Sequence, residues 1–106
     1  MNYNEIDPQQ AMEAIQQDSE LVVLDVREQD EYDAAHIEGV KLIPLGELPD
    51  RVDELSKDQR ILCVCAGGVR SDRACQFLSG AGFHDVTNMS EGMKGWLKRG
   101  LPAVTD

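Results

Sequence analysis

The chain has 106 residues, 42% of them apolar and 28% charged, and this balance predicts one soluble globular domain spanning residues 1–106. Its net charge of −10 disfavours binding to nucleic acid or to an anionic membrane surface. No apolar run approaches the roughly 20 residues of a membrane span, and the amino end lacks the pattern of a secretory signal. Three cysteines without paired spacing favour free thiols, so we expect a protein of the reducing cytoplasm.

The predicted elements alternate between short apolar runs and amphipathic stretches, which is typical of a parallel sheet with helices on its faces. Asp7 and Gln10 form the pattern of a capping box, and Pro8 suits the first position of the helix that follows. The continuous apolar run at 21–24 predicts a strand buried on both faces. The next predicted elements are one or two helical turns at 28–35, a short strand at 40–43 and a helix at 47–56.

The second half of the chain opens with the strongest predicted strand, residues 61–65, which ends in Cys65. A helix is predicted from about Ser71 to Gly82, then a strand at 86–89 and a last helix at 91–99. In the first helix the apolar residues Ala74, Phe77, Leu78 and Ala81 hold the spacing of one buried face. In the second, Met93, Trp96 and Leu97 lie on one side, and Met93 and Trp96 are expected in the core.

The most informative feature is a strand that ends in Cys65, followed by a tight loop and a helix. In an open α/β sheet, sites lie beyond the carboxyl ends of the strands. Gly67 and Gly68 allow the loop to turn its backbone N–H groups inward, and the start of the helix adds a positive dipole end. This arrangement favours the thiolate, and Arg70 adds a full positive charge. An inert buried cysteine is the alternative, but the position at the strand's end favours a functional Cys65.

The other cysteines and histidines are assigned structural roles. Cys63 and Cys75 are predicted to be small core residues, the usual fate of free cysteine. Along an extended strand the Cα atoms of Cys63 and Cys65 lie about 6.6 Å apart, which disfavours a disulfide. His36 is expected to bond to nearby backbone, and His84 to lie on the surface. None of these residues shows the paired spacing of a zinc site, so we expect no metal.

The charges are unevenly distributed. Residues 1–58 hold 16 Asp and Glu against 4 Lys and Arg, whereas residues 59–106 hold 4 against 6. The acidic half is interpreted as a solvated face, and a docking surface for a basic partner remains the alternative. An ion-pair cluster is predicted to brace the chain beyond the first strand, formed by Asp25, Arg27, Glu28 and Glu31.

Taken in order, these segments resemble the single-domain rhodanese-like proteins, sulfurtransferases of the thiosulfate-using type. The matching segments cover nearly all of the chain: 24–28 with 31–32, 36–40 with 43–45, 65–71, 82–83 with 86, 92 with 96, and 100–102. The resemblance implies a three-layer α/β fold whose central, mainly parallel sheet has four to five short strands flanked by helices. It also implies that Cys65 carries sulfur as a persulfide. The implied sulfur-binding loop consists of Ala66, Gly67, Gly68, Val69, Arg70 and Ser71.

The resemblance further implies a two-step reaction without a cofactor. Cys65 takes a sulfur atom from a small anionic donor such as thiosulfate and passes it to cyanide, a thiol or a protein acceptor. We expect the protein to be a monomer. Two features depart from the family. Glu91 precedes Gly92 where the family often has two adjacent glycines, and Arg70 is the loop's only charged residue, so the donor in the cell can differ from thiosulfate.

Three other functions remain open. Phosphatases and arsenate reductases of the related fold use a loop one residue longer, whereas the five steps from Cys65 to Arg70 suit a sulfur atom better than a phosphate. A non-catalytic or redox-sensing binding module is the second alternative, although many inactive members of the fold lack the cysteine. A relay protein that takes sulfur from one partner and gives it to another would use the same chemistry.

Overall fold

Five parallel strands form the sheet at the centre of the computed structural model, which describes residues 3–105. The strands are β1 (Asn4–Ile6), β2 (Val22–Asp25), β3 (Lys41–Leu42), β4 (Arg60–Val64) and β5 (Asp85–Met89). They lie in the order β1-β5-β4-β2-β3, and each neighbouring pair is parallel. The predicted α/β fold with a parallel sheet of four to five strands is confirmed.

The α-helices cover both faces of the sheet and have the bounds α1 (Pro8–Gln17), α2 (Gln29–Ala34), α3 (Leu48–Arg51), α4 (Val69–Gly80) and α5 (Gly92–Lys98). Short 3-10 turns, Leu45–Glu47 and Val52–Glu54, flank α3. The continuous helix predicted at 47–56 is therefore wrong, because Arg51 leaves the helical conformation with φ −118° and ψ 10°. Within residues 3–105, none of the helices has the length and apolar character needed to cross a bilayer.

Two apolar clusters lie on opposite faces of the sheet. One packs β2 and β4 against α3 and α4, and the other packs the same strands against α1 and α5. Each large apolar side chain buried in this way contributes about 1.5–3 kcal/mol. The predicted burial of Phe77 is wrong, since it is 36% exposed, and Leu97 on the apolar side of the last helix is 47% exposed. Consecutive helical residues point about 100° apart, so the burial of Leu78 and Trp96 turns these neighbours outward.

The amino end contains a strand that the sequence analysis missed. β1 is a three-residue edge strand with two polar residues, and its Ile6 pairs with Met89 of β5. The capping box that follows is confirmed, because Asp7 accepts from the backbone N–H of Gln10 at 2.8 Å and Gln10 accepts from that of Asp7 at 2.9 Å. The capping box is a local sequence signal for the start of a helix, whereas β1 is too short and too polar to show the periodicity of a strand.

Candidate functional site

Cys65 lies at the carboxyl edge of the sheet, directly after its middle strand. Strand β4 runs between β5 and β2 and ends at Val64, so Cys65 is the first residue of the loop and not the last of the strand. Helix α4 begins at Val69, two residues before the predicted start. Gly68 precedes it with φ 99°, a conformation that strongly favours glycine. This tight turn places the first turn of α4 directly above the thiol.

The thiol of Cys65 is surrounded by hydrogen-bond donors. The backbone N–H of Gly68 donates to its Sγ at 3.1 Å, and the buried hydroxyl of Ser71 lies 3.2 Å away. Burial raises the pKa of the Cys65 thiol. The hydrogen bonds from the Ser71 hydroxyl and from the N–H groups of Ser71, Gly68 and Gly67 lower it by more than burial raises it, so the pKa lies below its usual value. The site therefore favours the thiolate, as the sequence predicted.

Helix α5 explains why the loop directs its N–H groups toward the sulfur. The first turn of α5 donates to the loop's carbonyl groups, from Met93 N to Cys65 O at 2.8 Å and from Lys94 N to Ala66 O at 3.0 Å. Because the carbonyl groups are held on that side, the amide N–H groups that follow are free to face the sulfur. The loop is thus shaped by a helix that lies almost 30 residues further along the chain.

The remaining loop side chains point away from the thiol. Val69 is 66% exposed and Gly67 is also exposed, while Ala66 is half-buried. The guanidinium of Arg70 binds the carboxylate of Glu31 through two hydrogen bonds of 2.7 and 2.8 Å. The positive charge predicted to serve the loop is therefore already paired, which the sequence did not indicate.

Residues 7–99 match the family model of the rhodanese-like domain. The chain belongs to the rhodanese-like domain family. One relative is a Bacillus subtilis protein with the provisional name of sulfur carrier protein. It is 42% identical over 93 residues, which cover 84% of this chain and 50% of that protein. The chain thus spans about half the length of that relative. A protein of Allochromatium vinosum named as a sulfurtransferase is 30% identical over 101 residues, covering 95% of this chain and 94% of the relative.

A solved structure agrees with the same family. The crystal structure of a rhodanese-related protein from Thermoplasma volcanium has a TM-score of 0.88 and 33% sequence identity, and the match covers 98% of this chain and 100% of the other. The predicted family and three-layer architecture are confirmed.

This rhodanese-like domain keeps the turn before α5 despite lacking one of the family's glycines. Glu91 adopts φ 65°, in the left-handed region that glycine favours. Arg99 braces it through two hydrogen bonds to its carboxylate at 2.8 and 3.0 Å. Gly92 cannot be replaced in the same way, because a Cβ there would lie 2.4 Å from the backbone of Ala66. The turn therefore keeps a glycine-like conformation although Glu91 stands where the family often has a glycine.

A buried asparagine supports the loop of this rhodanese-like domain from below. Asn88 is 1% exposed and lies opposite Cys63 in the register of β5 and β4. Its Nδ2 donates to the carbonyl of Gly68 at 3.3 Å and to the carboxylate of Glu5 at 3.0 Å. Holding the Gly68 carbonyl helps to fix the peptide whose N–H faces the sulfur. Nothing in the sequence around Asn88 signals this role.

The predicted ion-pair cluster after β2 is only partly correct. Arg27 binds Asp25 through its Nε and Nη2, at distances down to 2.7 Å, and both side chains are buried. Its guanidinium also donates to the backbone carbonyls of Glu31 and Ala35. The prediction is wrong for Glu28, which is exposed, and for the Glu31 carboxylate, which turns to Arg70 instead. The reason is that the start of α4 lies beside α2, a proximity set by the sheet order.

The assignments of the other cysteines and histidines are confirmed. Cys63 and Cys75 are fully buried, and all three cysteines are free. The Cys63 thiol donates a hydrogen bond to Cys75, and this bond together with burial raises its pKa, so Cys63 stays protonated. His36 is buried, and its Nδ1 lies 2.8 Å from the carbonyl of Tyr32. His84 is exposed.

Proposed function

We propose that this protein is a sulfurtransferase in which Cys65 accepts a sulfane sulfur, holds it as a persulfide and passes it on. The observation that carries the proposal is the environment of the thiol, with Gly68 N–H at 3.1 Å and Ser71 Oγ at 3.2 Å from Sγ. These donors stabilise the thiolate that must attack, and a nest of backbone N–H groups can hold a negatively charged sulfur atom.

In the first step, the Cys65 thiolate attacks the outer sulfur of a donor such as thiosulfate. A new S–S bond forms, the S–S bond of thiosulfate breaks, and sulfite departs with the bonding electron pair. The terminal sulfur of the persulfide carries the negative charge and takes hydrogen bonds from the backbone N–H groups of residues 66–71. Charge is conserved, and neither an oxidant nor a metal takes part.

In the second step, cyanide, a thiolate or a protein acceptor attacks the terminal sulfur. The acceptor gains the sulfur, the persulfide bond breaks, and Cys65 leaves as a thiolate ready for the next cycle. The exposed Val69 and Gly67 flank the route by which a bulky acceptor would approach. The names of the Allochromatium vinosum and Bacillus subtilis relatives support sulfur transfer, and the second favours a protein partner.

Intact-protein mass spectrometry tests the proposal. Reduced protein is incubated with thiosulfate or with a small-molecule persulfide, desalted and weighed, and Cys65→Ser is treated in the same way. We expect a gain of one sulfur atom's mass that cyanide or a reductant removes and that is absent in Cys65→Ser. Folded, reduced protein that gains no sulfur from either donor would contradict the proposal and favour a binding module. Cys75→Ala serves as the matched control, because a buried thiol should not be the carrier.

A further inference from the structure

The positive charge of the active loop is held by an acidic side chain from another part of the fold. Arg70 Nη1 lies 2.7 Å from one carboxylate oxygen of Glu31, and Nη2 lies 2.8 Å from the other. Such a two-point contact fixes the plane of the guanidinium as well as its position. The two side chains are 33% and 30% exposed, so the contact is more shielded than an ordinary surface ion pair.

Glu31 is held in position for this contact by residues other than Arg70. Its Oε1 also accepts the backbone N–H of Glu28 at 2.9 Å, and its own carbonyl accepts from Arg27 at 3.2 Å. Arg27 is in turn anchored by the buried Asp25. Little side-chain freedom is therefore lost when the pair forms. The contact with Arg70 lowers the pKa of Glu31 to about 2, so the carboxylate is ionised at neutral pH.

This pairing changes what the loop offers to an incoming donor. Arg70 is the only charged residue from Cys65 to Ser71. Seen from farther away than the separation of the two charges, the carboxylate of Glu31 cancels the charge of its guanidinium. Glu28 also acts on Arg70 with negative charge. The sulfur is thus stabilised by neutral backbone dipoles, which suit one negative charge on a sulfur atom. A second charge on the donor finds no unpaired guanidinium in the loop.

We propose that Glu31 is a specificity-determining residue, which by engaging Arg70 disfavours dianionic donors such as thiosulfate and favours persulfides carried by a thiol or a protein. This inference rests on the proposed sulfurtransferase function and deepens it by naming the class of donor. A persulfide gives up its outer sulfur to the Cys65 thiolate and releases its own thiolate, so the transfer needs no second charge on the donor.

The test compares two donors on the same preparations. Rates of persulfide formation at low ionic strength are measured for the wild type and Glu31→Gln with thiosulfate, a dianion, and with the persulfide of an uncharged small thiol, a monoanion. Coulomb's law for a dianion about 10 Å from the carboxylate, with a dielectric constant of about 80 to 40, gives a rate gain of about four- to fifteenfold in Glu31→Gln. The monoanion should gain about the square root of that, roughly two- to fourfold.

The matched control is Glu54→Gln. Glu54 also binds an arginine, Arg51, at two points, and its loss changes the net charge equally, but it lies outside the loop and its partner. We expect the donor ratio of Glu54→Gln to equal that of the wild type. The double variant Glu31→Gln with Arg70→Ala should show no gain over the wild type, because removing both charges leaves this part of the loop as neutral as the ion pair does. Added salt should reduce it as well.

The outcomes distinguish a failure of the proposed role of Glu31 from a failure of the proposed sulfurtransferase function. The ratio of the thiosulfate rate to the persulfide rate does not depend on the folded fraction, so partial unfolding of a variant does not obscure it. An unchanged or lower ratio in Glu31→Gln overturns the inference and makes Glu31 a support for Arg70. A wild type that accepts sulfur from neither donor overturns the proposed function, and the inference with it.

Discussion

Replacing Ser71 with alanine removes a single hydroxyl from the site and should raise the pKa of Cys65. That hydroxyl is fully buried and lies 3.2 Å from Sγ, while the N–H groups that face the sulfur remain. A hydrogen bond to a charged acceptor contributes about 1.5–3 kcal/mol, and sulfur is a weak acceptor, so we use a loss of about 1.4 kcal/mol. This corresponds to a pKa about one unit higher.

The consequence for the reaction is smaller than the change in pKa. Below both pKa values, one unit leaves about tenfold less thiolate, but the more basic thiolate is about threefold more nucleophilic at a Brønsted slope of about 0.45. Sulfur transfer to Ser71→Ala should therefore fall about threefold to fourfold at constant pH. The loss should disappear as the pH rises, and above the pKa of the variant it should become a gain of up to about threefold, because both thiols are then fully ionised and the variant's thiolate is the more nucleophilic.

The pKa can be measured without any reagent reaching the thiol. The ultraviolet absorbance of the thiolate is followed against pH, and the curve of Cys65→Ala is subtracted from those of the wild type and of Ser71→Ala. Ser19→Ala, at an exposed position remote in sequence from the loop, is the matched control and should titrate like the wild type. A midpoint for Ser71→Ala equal to or below the wild-type value would refute the role assigned to this hydroxyl.

Three further substitutions test the supports around the site. Gly92→Ala forces a Cβ to within 2.4 Å of the loop backbone, so it should lower the free energy of unfolding in urea by about 2–4 kcal/mol. Gly46→Ala is the control: open space surrounds that position, and the loss should be under about 1 kcal/mol. Arg27→Ala leaves the carboxylate of Asp25 buried and unpaired, and the midpoint of urea unfolding should fall by the equivalent of about 3–5 kcal/mol; a loss below 1 kcal/mol would contradict the buried pair. Because the pKa of Glu31 falls from 4.5 to about 2 on folding, its stabilisation is complete above pH 4.5 and is lost as the pH falls toward 2. The difference in unfolding free energy between wild type and Glu31→Gln should shrink over that range, and a constant difference would show that the pair contributes nothing through charge.

The acidic composition does not mean that the site itself repels every anion. Three loop N–H groups, the Ser71 hydroxyl and the first turn of α4 all present partial positive charge to Sγ. These dipoles act over a few ångströms, whereas the net charge of −10 acts over about a Debye length of 8–10 Å. Approach and chemistry are therefore governed by different groups, and salt should affect the first more than the second.

The sequence by itself determined the elements whose signals are local. The capping box of Asp7 and Gln10, the apolar run of β4 and the small residues after Cys65 each lie within a few positions of the structure they specify. A parallel sheet follows from their alternation, and the location of Cys65 at its carboxyl edge follows from the sheet. The order of the motifs along the chain indicates the rhodanese-like family, whose family model matches residues 7–99.

Only the tertiary structure decided the contacts between distant segments. Glu31 and Arg70 are 39 positions apart, and they meet because β2 and β4 are neighbours in the sheet, which places α2 beside the start of α4. The support of the loop by α5 and Asn88, and the left-handed turn at Glu91, depend in the same way on which strands pair. Local sequence carries no record of such partners, because hydrogen bonds and charges act through space and not along the chain.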